Sequence, residues 1–299
     1  MHRYHRLGEL PKKRHKALRK PDGGVYHEEL KGNKGFVGPS SLLYHLHRPT
    51  AVVGTKLLRE VKLEEDPDRR LRMRHFFTDR LPRGGSPTMD RTPVLFNNDV
   101  VLWMAFPDKE DEFYYRNAQG DEIVYVSDGS GTLETAFGEL AYSQGDYLVI
   151  PRGILHRYRL GKDKQRFFIT ESKGEVRTPK RYRNEYGQLI ERSPFSERDW
   201  RVPDNLQTVD KQEPATIIVK QRDLLTEVTL DHHPCDVIGW DGYYYPYAFS
   251  IHDFEPIVGR YHEPPPVHQT FQGDNFVLCS FCPRPYDFGE DAVPAPYNH

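Results

Sequence analysis

The chain reads as a mainly β protein of the sandwich or barrel kind, on three observations. Residues 93–170 alternate short runs of Val, Ile, Leu, Phe and Tyr with turn signals, a spacing that suits a sandwich or barrel rather than a parallel α/β sheet. Helical periodicity is scarce. With 37% hydrophobic and 12% aromatic residues among 299, there is apolar mass for a sizeable core, in one large or two ordinary domains.

The elements follow in order. Residues 2–20 carry eight Lys or Arg against one Glu, but Pro11, Pro21 and the Gly23-Gly24 pair prevent a continuous basic helix. A solvated arm or a strap between subunits is expected there. The run KLLREVKLEED at 56–66 is the best helix candidate. Strands are expected in FNNDVVLWMAF, DEIVYVSDGSGTLETAFGEL, GDYLVIPRGILHRYRL and RFFITES. In the second of these, DGSG at 128–131 makes a turn whose glycines can take positive φ. Residues 171–235 are rich in charge and proline and read as a connecting layer over the barrel, with a strand at TIIVK and a short helical start at Ser196. A long irregular layer of this kind is often an interface or a loop near substrate.

Formal charge is −2 and the sequence pI about 6.7, so no overall field favours nucleic acid or an anionic membrane. No apolar stretch approaches the roughly 18 residues of a membrane helix, and the start lacks a signal-peptide apolar region, so a cytoplasmic location is expected. Three cysteines, Cys235, Cys279 and Cys282, do not make a disulfide framework. Cys279 and Cys282 form a CxxC in a strand-like run, where residues three apart face opposite ways, so free thiols are expected rather than a zinc site.

Gly145-Asp146-Tyr147-Leu148-Val149-Ile150-Pro151-Arg152-Gly153-Ile154-Leu155-His156 resembles the second sequence motif of the cupin family. A strand ending in a tight Pro-x-Gly turn aims the next side chain back into a barrel mouth. A metal-binding cupin would add an HxH pair and a glutamate; here Glu122 is present with no histidine near it in sequence. One His and one Glu are too few for a stable metal site. The resemblance implies a structural first barrel; a binder or isomerase using that barrel would require a ligand or metal at Glu122 and His156.

Beyond Trp240 the chain reads WDGYYYPYAFSIHDFEPI, RYHEPPPVHQTF, NFVLCSFCPRPYDF and AVPAPYNH. WDGYYYPY, YHEPP and PAPYNH resemble, in order and approximate spacing, the C-terminal half of the homogentisate 1,2-dioxygenase family. YHEELKGNKGFVGPSSLLYHLHRPT is similar to the opening of its bacterial members. The resemblance runs from end to end of the chain and implies a cupin barrel over residues 1–249, followed by the start, 250–299, of a second cupin barrel that is C-terminally incomplete.

The resemblance also implies site roles. His262 matches the family's general base, and an imidazole with an ordinary pKa near 6.5 suits removal of a phenolic proton. His299 matches the first ligand of a catalytic Fe(II), with the remaining ligands absent from this chain, so no stoichiometric iron is expected in it. The reaction implied is O2-dependent cleavage of homogentisate, 2,5-dihydroxyphenylacetate, to maleylacetoacetate in tyrosine and phenylalanine breakdown, by a homo-oligomer with no nucleic acid or membrane partner. Other readings stay open: another dihydroxybenzene as substrate, or a metal-free bicupin module for binding or oligomerisation. A local triad of His268, Asp274 and another histidine competes with His299. The adjacent His232 and His233 read as turn or surface residues. Tyr243, Tyr244, Tyr245 and Tyr247 read as a core or interface cluster, with one phenol as a candidate wall for an aromatic substrate.

Overall fold

The computed structural model describes residues 3–255 and 268–282. Four strands open the chain: β1 (His5–Gly8), β2 (His27–Gly32), β3 (Ser40–His45) and β4 (Val52–Glu60). Nine follow in the region of strongest alternation: β5 (Thr92–Phe96), β6 (Val100–Ala105), β7 (Tyr114–Asn117), β8 (Asp121–Asp128), β9 (Gly131–Thr135), β10 (Gly138–Tyr142), β11 (Asp146–Ile150), β12 (His156–Leu160) and β13 (Arg166–Ser172). The rest are β14 (Trp200–Arg201), β15 (Ala215–Gln221), β16 (Leu224–Leu230), β17 (Val237–Gly242), β18 (Tyr247–Ser250), β19 (Gln269–Gly273) and β20 (Phe276–Cys279).

Two seven-stranded sheets form a double-stranded β-helix, the cupin barrel. One runs β10-β9-β12-β7-β15-β16-β4 and the other β14-β18-β11-β8-β13-β6-β5. Pairing among the described residues is antiparallel except where β15 lies parallel to β7. A single core cluster draws Leu133 and Tyr158 from the first sheet and Val124, Leu148, Phe167 and Phe249 from the second, all fully buried. Strand β11, paired with β8 and β18, is buried at all five positions because both of its faces are packed, with Tyr147, Leu148, Val149 and Ile150 all in the core cluster, and so DYLVI is apolar nearly throughout rather than alternating.

A four-stranded sheet, β1-β17-β3-β2, closes one side. Part of the basic N-terminal segment is therefore a strand of the chain's own sheet, and Arg14 beyond it pairs with Asp241 at 3.1 Å. Strand β17 carries Trp240, whose indole N–H donates to the Phe137 carbonyl at 2.8 Å while its ring meets the Phe137 ring edge-on. The hairpin β19–β20 also packs on the barrel: Phe271 lies edge-on to Tyr147, and the Tyr147 hydroxyl is 3.0 Å from Ser280 Oγ.

The helix expected at 56–66 is not formed. Residues up to Glu60 belong to β4, which pairs with β16, and Val61 N–H then donates to the Asp223 carbonyl at 2.6 Å. Cross-strand pairing with β16 overrides the local periodicity. Strand β16 itself was not foreseen, because the β15–β16 hairpin turns on Arg222 and Asp223, both at positive φ, without the glycine that marks such turns. The helical start at Ser196 is a single 3-10 turn, Glu197–Asp199, closed by a capping box.

Strand β1 reaches β17 through a glycine contact. Gly8 has φ +78, and a Cβ at Gly239 would lie against the backbone of Glu9. Gly239→Ala is expected to lower stability by roughly 1–3 kcal/mol, the scale of overpacking. Denaturant midpoints measure it, and protease cutting near residue 8 should accelerate as β1 detaches.

Candidate functional site

The barrel interior holds a buried polar network contributed by six elements. Strands β8 and β13 set Glu122 and Glu171 directly opposite each other in register. Two carboxylates so placed repel, and both are almost wholly excluded from water. Each has its own cation. Arg91, in the segment leading into β5, pairs with Glu122 at 3.0 Å, and Lys220 on β15 donates to both oxygens of Glu171 at 2.7 and 2.6 Å. Asn117 on β7 bridges the two acids, its amide donating to Glu122 at 2.9 Å and to Glu171 at 3.0 Å. Trp103 Nε1 on β6 donates to the second Glu171 oxygen at 3.0 Å. Burial pushes the Glu122 carboxyl up, but Arg91 above all outweighs it and holds the group down at about 2.

His156 enters the same space from the Pro151-Arg152-Gly153 turn, where Gly153 takes φ +79 and donates to the Asn117 carbonyl at 2.7 Å. The side chain is fully buried, edge-on to Tyr115 and Tyr158. Its Nδ1 lies 3.1 Å from the Ile154 carbonyl, which can only accept, so the proton is assigned to Nδ1 and Nε2 carries a lone pair. Burial holds the imidazole down at about 4, so it is neutral at physiological pH.

These residues do not fit a metal. The cation beside Glu122 is a guanidinium, and among the described residues no group of three or more His, Cys, Asp or Glu is placed to hold an ion. His262 and His299 lie outside the described residues. His268 stacks loosely on Phe281 and Asp274 pairs with Arg177 at 3.6 Å; no contact joins the two among the described residues. Cys279 ends β20 and Cys282 lies past it, so the pair does not share a strand as expected; all three cysteines are free thiols.

His232 departs from the turn-or-surface expectation. Its neighbours do turn, but the side chain is buried, with Nδ1 2.6 Å from Asp231 and Nε2 3.9 Å from Asp236. Asp236 is the reason: fully buried, it also meets His45 Nδ1 at 2.7 Å and the His47 backbone N–H at 2.7 Å. Tyr244, Tyr245 and Tyr247 are buried while Tyr243 is half exposed. The Tyr244 and Tyr245 hydroxyls donate to the carbonyls of Arg152 and Arg3, which is how core tyrosines are satisfied. Sequence reading missed Arg91, Glu171 and Lys220. The sole local hint was a charged residue inside an apolar strand, as in RFFITES and TIIVK.

Lys220→Met leaves Glu171 buried without its cation and is expected to lower stability by about 3–5 kcal/mol. Adding Glu171→Gln should restore most of that loss in denaturant titrations. His156 gives a pH signature. Its folded pKa, about 4, lies below the ordinary 6.5, so its neutral form contributes fully above pH 6.5 and that contribution is lost as pH falls through this window. The loss by pH 4 is on the order of 3 kcal/mol. His156→Gln should flatten the acid limb of the stability profile between those values and leave metal content unchanged; an unaltered limb would contradict the assignment.

A family model described as homogentisate 1,2-dioxygenase N-terminal matches residues 97–251. The chain is 41% identical over 297 residues to the "Putative dioxygenase" of Saccharolobus solfataricus, covering 99% of this chain and 76% of that protein. It is 31% identical over 165 residues to the homogentisate 1,2-dioxygenase of Bradyrhizobium diazoefficiens, a stretch covering 52% of this chain and 34% of that enzyme. A crystal structure of an uncharacterized conserved protein with a double-stranded beta-helix domain from Klebsiella pneumoniae is 25% identical, over 34% of this chain and 91% of that one, at a TM-score of 0.29, too low to build on. The extent of the sequence matches makes this chain a member of the homogentisate 1,2-dioxygenase family.

Proposed function

We propose that this chain serves a ring-cleaving dioxygenase that opens homogentisate with O2 to maleylacetoacetate, in tyrosine and phenylalanine breakdown. The observation that carries the reading is the 41% likeness to a dioxygenase-named protein along 99% of the chain, joined to the family match over 97–251. The first barrel supports it from the other side. With a guanidinium against Glu122, that barrel is a scaffold, and the chemistry falls to a second barrel beginning within residues 250–299. Fe(II) is the metal of this reading and His299 one ligand to it; the described residues do not supply the rest of a ligand set.

His262 is the general base of this reading, accepting a proton from a phenolic hydroxyl of the substrate. A homo-oligomer is part of the same proposal. Its support is the set of large apolar side chains left to solvent in two segments: Phe36 and Val37 at the β2–β3 turn, and Leu71, Met73, Phe76 and Phe77 in the extended stretch after β4. A cytoplasmic enzyme fits the absence, among the described residues, of a helix long and apolar enough to cross a membrane.

The test is His262→Asn in the complete enzyme, read by O2 uptake with homogentisate and by iron content. Turnover should fall by roughly two to four orders of magnitude while iron is retained, and the pH profile should lose its imidazole limb. Near-normal turnover would make His262 a bystander; iron lost in proportion to activity would make it a ligand. Failure of the unaltered enzyme to consume O2 with homogentisate would overturn the substrate assignment.

A further inference from the structure

His45 closes β3 with a carboxylate at each ring nitrogen. Nδ1 is 2.7 Å from Asp236 in the loop between β16 and β17, and Nε2 is 3.3 Å from Glu29 on β2, an ion-pair distance without the alignment of a hydrogen bond. A neutral imidazole carries one N–H and a lone pair on the other nitrogen, so only the imidazolium turns a proton to both acids. Each acid is held in place through its second oxygen: Glu29 by Lys31 at 2.9 Å and Asp236 by the His47 backbone N–H at 2.7 Å. The ring is 3% exposed, so bulk water does not replace either contact once the proton leaves.

Strand register builds this bridge. His27 stands opposite His45, which makes Glu29 the diagonal neighbour of His45 on one face of the pair, with Lys31 next along β2. Among the described residues β2 is an edge strand laddered to β3 alone, and the His45 bridge joins it to the loop at 231–236. The other charged groups around the bridge come from four further segments. His232 Nε2 lies 3.9 Å from Asp236, with its Nδ1 on Asp231 at 2.6 Å. Burial, then Arg116 on β7, lowers the Lys31 pKa to about 8, and burial, then Lys20 and Arg48, lowers that of His27. Burial also opposes charge on His45, but Asp236 and Glu29 outweigh it and raise its pKa above the ordinary 6.5.

We propose that His45 is a pH-sensitive latch: as an imidazolium it fastens β2 to the 231–236 loop through Glu29 and Asp236, and on losing its proton it releases β2. The neutral ring keeps Nδ1–H on Asp236 and turns a lone pair toward the Glu29 carboxylate, so attraction becomes repulsion on the β2 side. Stabilisation from the latch is complete below pH 6.5 and is lost as pH rises through the folded pKa, which lies above that value. The latch uses neither His262 nor His299, so it stands or falls apart from the ring-cleaving reading.

The experiment is a pH titration of the full chain on both sides of 6.5, reading the His45 Cε1–H resonance by NMR and amide hydrogen exchange of β2, with the β8 amides as control. His45→Gln identifies the resonance by its absence. His45 should titrate above 6.5, and β2 protection factors should fall across the same midpoint, about tenfold for each unit by which it exceeds the ordinary value, while β8 does not change. Glu29→Gln alters a partly exposed partner and keeps the test open should His45→Gln fail to fold; in it the midpoint should move down and the β2 step should shrink. A midpoint at or below 6.5 overturns the proposal. So does β2 protection that stays constant while His45 titrates, or that falls in His45→Gln as it does in the unaltered chain.

Discussion

Glu122 and Glu171, opposite each other in register on β8 and β13, are the constraint around which the barrel is arranged. Two buried like charges at adjacent strand positions are untenable in a low-dielectric interior unless each has a cation and its remaining lone pairs are bonded. Neither cation comes from the same pair of strands. Arg91 comes from the coil before β5, and Lys220 from β15, which joins the sheet by lying parallel to β7. The charge requirement therefore ties the segment after β13 back onto the barrel. Asn117 sits at the register position of Lys220 and links the two ion pairs into one network.

That network also fixes what the first barrel can do. A metal-binding cupin would use a position like Glu122 as a ligand; here Arg91 takes the positive charge that an ion would supply, and His156, neutral and walled by Tyr115 and Tyr158, has an Nε2 lone pair with no hydrogen-bond partner among the described residues. Two ion pairs of this kind add little net stability over an apolar core, but removing one partner of either is severely destabilising. Such a network favours one register of β8 against β13, because a one-residue slip of β8 would turn Glu122 to the other face of the sheet, away from Arg91 and Asn117.

Packing around the barrel follows the same economy of long-range ties. The N-terminal strand β1 is held by glycine contact to β17, and β17 is held to the barrel by Trp240 on Phe137. The Asp236 cluster gathers the His45 and His232 rings and the His47 backbone N–H onto one buried carboxylate, which pins the loop before β17 together with the apolar burial of Cys235. Burial disfavours the charged His45 ring, yet Asp236 and Glu29 on either side outweigh it and hold its pKa above the ordinary value.

The sequence by itself determined the β class and most strands of residues 93–170, because alternation, β-branched runs and glycine turns are local signals that do not depend on which strand is the partner. It also determined the Pro151-Arg152-Gly153 turn that sends His156 inward and a helical start at Ser196, while the roles proposed for His262 and His299 rest on family resemblance alone. Tertiary structure decided what depends on distant partners. Residues 56–60 became a strand because β16 was there to pair with them, and β16 was hidden by a turn that takes positive φ at Arg222 and Asp223 without glycine. His232 became a core residue because Asp236 is buried beside it. Arg91 and Lys220 became interior cations because Glu122 and Glu171 required them across many intervening residues; a charged side chain carries in its own sequence neighbourhood no mark of the partner that will bury it.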